Sequence, residues 1–228
     1  MILIVSMAKP DDYDEKAAHT DIKRKFEKLT DTPALVQHYS EITPQRVADL
    51  PVGAIFISGS GCPWPDVEPR KLDGLYELVM NTDIPIHGAC AGHQLLGFFF
   101  NLDFPEVDSL EDEFVRKLGP GEPVSVSDRY PGYFKEDGMY EIEILHDDPI
   151  FDGFDDSLVV KESHFCEVKT LPDGFIHLAH SENTEIQAMR HTDRVIYGTQ
   201  FHPEAWSEEF DDGKRFMQNF FRIAAIID

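Results

Sequence analysis

The sequence predicts an α/β fold: an open, mostly parallel central sheet with helices on both faces, continuing into a strand-rich C-terminal half. Three observations carry this. Short apolar runs at residues 2–7, 35–40, 54–58 and 84–87 alternate with stretches of helical period. Beyond residue 140 the runs become short and extended, parted by turn signals such as Pro172-Asp-Gly174 and His191-Thr-Asp193. The length of 228 residues suits one domain, 1–228, with a good core and little room for a second.

Taken in order, residues 2–7 lack a basic flank and read as a first buried strand, not as a signal peptide. Residues 8–13 read as a polar turn and 15–29 as a helix with charges interspersed. A second strand over 35–40 precedes a short helix over 44–50. The third strand, 54–58, runs into the loop Gly59-Ser-Gly-Cys-Pro-Trp-Pro65. A helix over 72–81 leads to the fourth strand, 84–87, and another helix runs from Cys90 to Phe100. From 101 to 140 the pattern fades into acidic, Gly- and Pro-rich sequence, which reads as a surface excursion with one strand at 123–126. Extended runs follow at 140–145, 158–162, 175–179, 185–190 and 194–201, and an amphipathic helix over 207–227 closes the chain.

Composition excludes several classes of function. The formal charge of −23 disfavours nucleic-acid backbones and anionic membranes as partners. A salt-adapted source would account for it, but ordinary soluble proteins can also be strongly acidic, and that is the favoured reading. No run of about 18 apolar residues occurs, so no membrane span is expected. Cys62, Cys90 and Cys166 form no C-x-x-C pair, which points to a reducing cytoplasm and away from a disulfide framework or zinc ribbon. No H-x-x-x-H, H-E-x-x-H or phosphate-loop pattern is present, so neither a metal nor a cofactor is expected.

Two stretches could carry chemistry. In Gly88-Ala-Cys90-Ala-Gly92 the spacing G-x-C-x-G is the thiol counterpart of the nucleophile elbow. A nucleophile on a sharp strand-to-helix turn needs small neighbours two residues either side, and a helix N-terminus favours its thiolate. A buried structural cysteine is the competing reading. In Gly198-Thr-Gln-Phe-His202-Pro-Glu204 the imidazole and carboxylate lie two apart at a strand end, so both can face one site. That suits a general base and the group that orients it. A structural histidine beside a solvated carboxylate is the alternative.

Together, Gly88-Ala-Cys90-Ala-Gly92-His-Gln94 and Gly198-Thr-Gln-Phe-His202-Pro-Glu204 resemble the class I, triad-type glutamine amidotransferases. Within that family the likeness is greatest to the glutaminase domain of GMP synthase and its stand-alone relatives. The resemblance implies a flavodoxin-like three-layer sandwich and a Cys90–His202–Glu204 triad. It further implies ammonia release from glutamine through a cysteinyl γ-glutamyl thioester. Ala91, next after the nucleophile, would give one oxyanion N–H by position, and Ser60 matches the family's second donor. Gly61 stands where the family has proline. Gly59, Gln94 and the segment Ser163-His164-Phe165 match substrate-contacting positions, although Cys166 follows where the family often has aspartate. Three functions remain open at this point. The first is a glutaminase supplying ammonia to a separate synthase subunit. The others are a hydrolase of another γ-glutamyl compound and a non-catalytic regulatory protein.

Overall fold

The computed structural model describes residues 1–16, 19–122, 124 and 130–228. Its strands are β1 (Ile2–Ser6), β2 (Ala34–His38), β3 (Ala54–Ile57), β4 (Ile86–Ala89), β5 (Glu136–Ile144), β6 (Ser157–His164), β7 (Phe175–His180), β8 (Ala188–His191) and β9 (Ile196–Thr199). Its helices are α1 (Pro10–Lys16), α2 (Thr20–Thr30), α3 (Pro44–Ala48), α4 (Asp73–Asn81), α5 (Ala91–Asn101) and α6 (Asp212–Ile223). The strands form one mixed sheet in the order β2-β1-β3-β4-β9-β8-β7-β5-β6. The pairings from β2 through β9 are parallel and those from β9 onward antiparallel.

Both faces of the parallel half are covered, which is why its strands are apolar throughout rather than alternating. Successive residues of β1 feed two separate cores. Leu3 and Val5 pack with Val47 of α3, Leu75 and Val79 of α4, and Leu95 and Phe99 of α5. Ile2 and Ile4 pack on the opposite face with Phe26 of α2 and Phe216 and Phe220 of α6. The order has one consequence for function. β3, β4 and β9 are parallel neighbours, so the loops that leave their carboxyl ends emerge side by side.

Some boundaries differ from the sequence reading. The polar turn expected at 8–13 and the single helix at 15–29 are instead two helices, α1 and α2. Pro10 with Asp11 and Asp12 starts α1 early, since proline and acidic residues suit a first helical turn. His19 then enters α2 in the left-handed conformation, φ 67°. The last helix begins at Asp212 rather than at 207, because Ser207 closes a turn with the Phe210 backbone. The 101–140 segment is not wholly superficial: Phe104, Leu110 and Val115 are buried, and Phe114 bridges to Cys166. The strand expected at 123–126 lies outside the described residues.

Candidate active site

Cys90 leaves β4 with φ 52° and ψ −105°, a conformation rare for any residue but glycine. Its N–H donates to Thr199 O at 2.7 Å, which ties the elbow to β9, and its carbonyl accepts the Gln94 N–H at 3.0 Å to begin α5. The two glycines are required by close approach. A Cβ on Gly88 would come within 2.6 Å of Gly92 O, and one on Gly92 within 2.4 Å of Ile57 O.

His202 follows β9, and its N–H donates to Lys161 O of β6 at 2.8 Å. Its Nδ1 lies 2.8 Å from Glu204 Oε1, and the ring hydrogen-bonds the Cys90 sulfur. Burial alone would lower the imidazole pKa. The Glu204 carboxylate and the Cys90 sulfur instead hold it well above the usual histidine range. Glu204 is buried, and Lys25 of α2 braces its turn by donating to Glu204 O at 2.9 Å and Trp206 O at 3.0 Å. Gly59, after β3, completes the convergence: a Cβ there would lie 2.7 Å from His202 Cε1 and 3.5 Å from Cys90 Cβ. Thus Cys90, His202, Glu204 and Gly59 meet at the carboxyl ends of three adjacent strands.

Beside Cys90 lies a cavity of about 280 Å³. Of the residues singled out in the sequence, Ser60, Ala91, Gln94, Ser163, His164 and Phe165 line it. The Ser60 hydroxyl accepts the Cys62 N–H at 2.9 Å, closing the loop on itself. The Gln94 side chain is tied to the protein at both its oxygen and its nitrogen. Its Oε1 accepts the Trp64 indole N–H at 2.7 Å, and its Nε2 donates to Cys166 O at 2.8 Å and Gln200 Oε1 at 3.1 Å. Gln94 therefore braces the cavity wall as well as lining it.

At the cavity wall, both ring nitrogens of His164 are engaged by the protein itself. Its Nδ1 meets Cys166 O at 2.9 Å, and its Nε2 lies 2.9 Å from Glu136 Oε2 and 3.1 Å from Glu162 Oε2. Burial opposes its charge, but the two carboxylates outweigh burial and hold its pKa up at about 10. This trio is spaced as metal ligands could be, yet its contacts are those of an imidazolium between two acids. Cys166 is buried, and burial together with the neighbouring Asp112 pushes its thiol pKa far up, away from the thiolate a nucleophile needs. His87 and His93 are buried and held neutral, with pKa values lowered to about 3 by desolvation.

Sequence reasoning missed Trp64, Asp112, Tyr130 and Lys135, all of which line the cavity. Only Trp64 stood near a motif, in the loop after the third strand. The other three lie in the 101–140 segment, where no local pattern marks them.

A model of the class I glutamine amidotransferase family matches residues 14–224. The chain is 36% identical over 174 residues to a subunit of the glutamine-hydrolysing GMP synthase of Pyrococcus abyssi, covering 76% of each chain. It is 34% identical over 179 residues to the corresponding GMP synthase subunit of Methanococcoides burtonii, covering 78% of this chain and 77% of that one. Among solved structures, the glutaminase domain of Trypanosoma brucei CTPS with bound acivicin superposes with a TM-score of 0.71 at 15% identity, over 100% of this chain and 95% of that one. A glutamine amidotransferase from Thermotoga maritima gives 0.60 at 16% identity, over 99% and 82%. At those identities the two superpositions speak for the fold. Among the described residues no helix is long and apolar enough to cross a membrane.

Proposed function

The chain belongs to the class I glutamine amidotransferase family, and from that premise we propose that it hydrolyses the side-chain amide of glutamine at Cys90 and passes the ammonia to a separate synthase subunit. The convergence of the Cys90 elbow, the His202–Glu204 pair and the Gly59 loop carries this reading.

The chemistry follows from that geometry. The Cys90 sulfur, as thiolate beside the His202 imidazolium, attacks the amide carbon and forms a C–S bond. Charge moves onto the amide oxygen, where the Ala91 and Ser60 N–H groups are the donors assigned to it. Collapse of this adduct breaks the C–N bond while His202 gives its proton to the leaving ammonia. Water then attacks the thioester, with His202 as base, and glutamate leaves as the Cys90 thiol is restored. Glu204 keeps the imidazole in the required tautomer throughout. Ser163, Phe165 and Gln94 line the substrate's side of the cavity.

The relatives that are GMP synthase subunits support a GMP synthase of more than one chain as the destination of the ammonia. In this reading the whole chain, 1–228, acts as one amidotransferase domain in a reducing cytoplasm that keeps Cys90 a free thiol.

The test is glutamate release from L-glutamine by the purified chain, alone and with the synthase subunit. Turnover is expected to rise when that subunit is present, and Cys90→Ala is expected to abolish it in both settings. Equal inactivity of wild type and Cys90→Ala under both conditions would sink the assignment.

A further inference from the structure

Besides the His164 imidazolium, which is paired with Glu136 and Glu162, two opposite charges line the cavity beside Cys90, and both come from the 101–140 segment, outside the motif-bearing elements. Among the described residues, Asp112 supplies its one carboxylate and Lys135 its one ammonium. Asp112 is held by three donors: the Trp64 N–H at 3.0 Å, the Tyr130 hydroxyl at 2.7 Å and the Cys166 thiol. A carboxylate offers about four acceptor positions, so acceptor capacity remains for a ligand. Lys135 sits over the Phe165 ring, its Nζ 5.7 Å from the centroid, and donates to Asp137 Oδ2 at 3.1 Å. Its ammonium therefore keeps further donors. Cys166 stands where the resembled family often has an aspartate. Asp112 reaches that thiol from another segment and puts a negative charge beside it.

From this juxtaposition we propose that Asp112 and Lys135 anchor the amino-acid end of the substrate. Asp112 accepts from the α-ammonium and Lys135 donates to the α-carboxylate, so the site requires both groups to be free. The proposal rests on the glutaminase reading for the group that faces Cys90. Charge-assisted hydrogen bonds from fixed partners are the strong ones, so losing either is expected to weaken binding by about tenfold or more. A cavity of about 280 Å³ has room for one amino acid of glutamine's size.

Calorimetric binding in the full-length Cys90→Ala chain tests this without requiring turnover. The probes are L-glutamine, glutaramate (which lacks the α-amine) and 4-aminobutanamide (which lacks the α-carboxylate). Asp112→Asn is expected to weaken L-glutamine by about tenfold or more and leave glutaramate unchanged. Lys135→Gln is expected to weaken L-glutamine while leaving 4-aminobutanamide unchanged. L-glutamine binding that is unchanged in either variant, or absent from the parent chain, overturns the proposal. So does a parallel loss of the matching truncated probe, which would mean the wall had collapsed. Should the binding pattern hold while the chain with Cys90 intact releases no glutamate either alone or with the synthase subunit, the anchor stands and the hydrolysis reading falls.

Discussion

Cys90 holds a backbone conformation that costs on the order of 1–3 kcal/mol for a residue with a side chain. The surroundings impose it: the Cys90 N–H is bonded to Thr199 O, and Gly88 and Gly92 remove the Cβ atoms that would block the turn. The reward is a sulfur beside a partly buried imidazole whose proton is stabilised by Glu204. Glu204→Gln keeps the shape and removes the charge, so His202 loses its proton at lower pH. The expected result is a drop in kcat/KM on the order of 10²-fold, with the alkaline limb of the pH–rate profile moved to lower pH. Steady-state kinetics between about pH 6 and 10 would read both effects. An unmoved alkaline limb would show that Glu204 does not set the imidazole's charge.

Among the elements, the pairing of β5 with β6 has the sharpest energetic consequence. Its register sets Glu136 directly opposite His164, and alternation along β6 puts Glu162 on the same buried face. Read as sequence, residues 158–162 end in a polar residue that could have faced solvent. Only the register shows that Glu162 is buried against His164 and Glu136. Burial raises the Glu162 pKa, whereas at Glu136 contacts led by His164 outweigh burial and lower it. His164→Gln leaves two buried acids without their cation, which is expected to cost about 3–5 kcal/mol in urea unfolding at neutral pH. The histidine's own contribution has a definite sign. Its folded pKa, about 10, is raised above the ordinary 6.5, so the stabilisation is complete below pH 6.5 and lost as pH rises through 10. Wild-type unfolding free energy should therefore fall between pH 7 and 10, and a flat profile would contradict an imidazolium at this position.

For the whole molecule, the order of strands and the net charge matter most. Because β9 returns from the end of the chain to pair with β4, the base and its carboxylate arrive beside an elbow more than a hundred residues earlier. The formal charge of −23 adds a self-repulsion that salt screens, since the Debye length shrinks from about 10 Å at 0.1 M to about 3 Å at 1 M. Thermal midpoints should rise between those salt concentrations, equally for sodium and potassium chloride. A fall, or a response to only one cation, would argue against simple screening.

The elbow, the H-P-E segment and the glycine loop were legible in the residues alone, because what defines them is local. Small neighbours two positions away permit a strained turn, and a two-residue spacing puts two side chains on one face. The apolar runs likewise announced most strands and helices with boundaries within a few residues of those observed, the exceptions being the expected turn that is α1 and the later start of α6. Tertiary structure alone decided the antiparallel character of the second half of the sheet, because alternation marks a strand without naming its neighbour. It alone brought Asp112, Tyr130 and Lys135 to the cavity beside Cys90 and turned His164 into a buried cation between Glu136 and Glu162. Those arrangements depend on register and packing between segments far apart in the chain, and sequence spacing carries no information about distances set by strands that meet only once the sheet has formed.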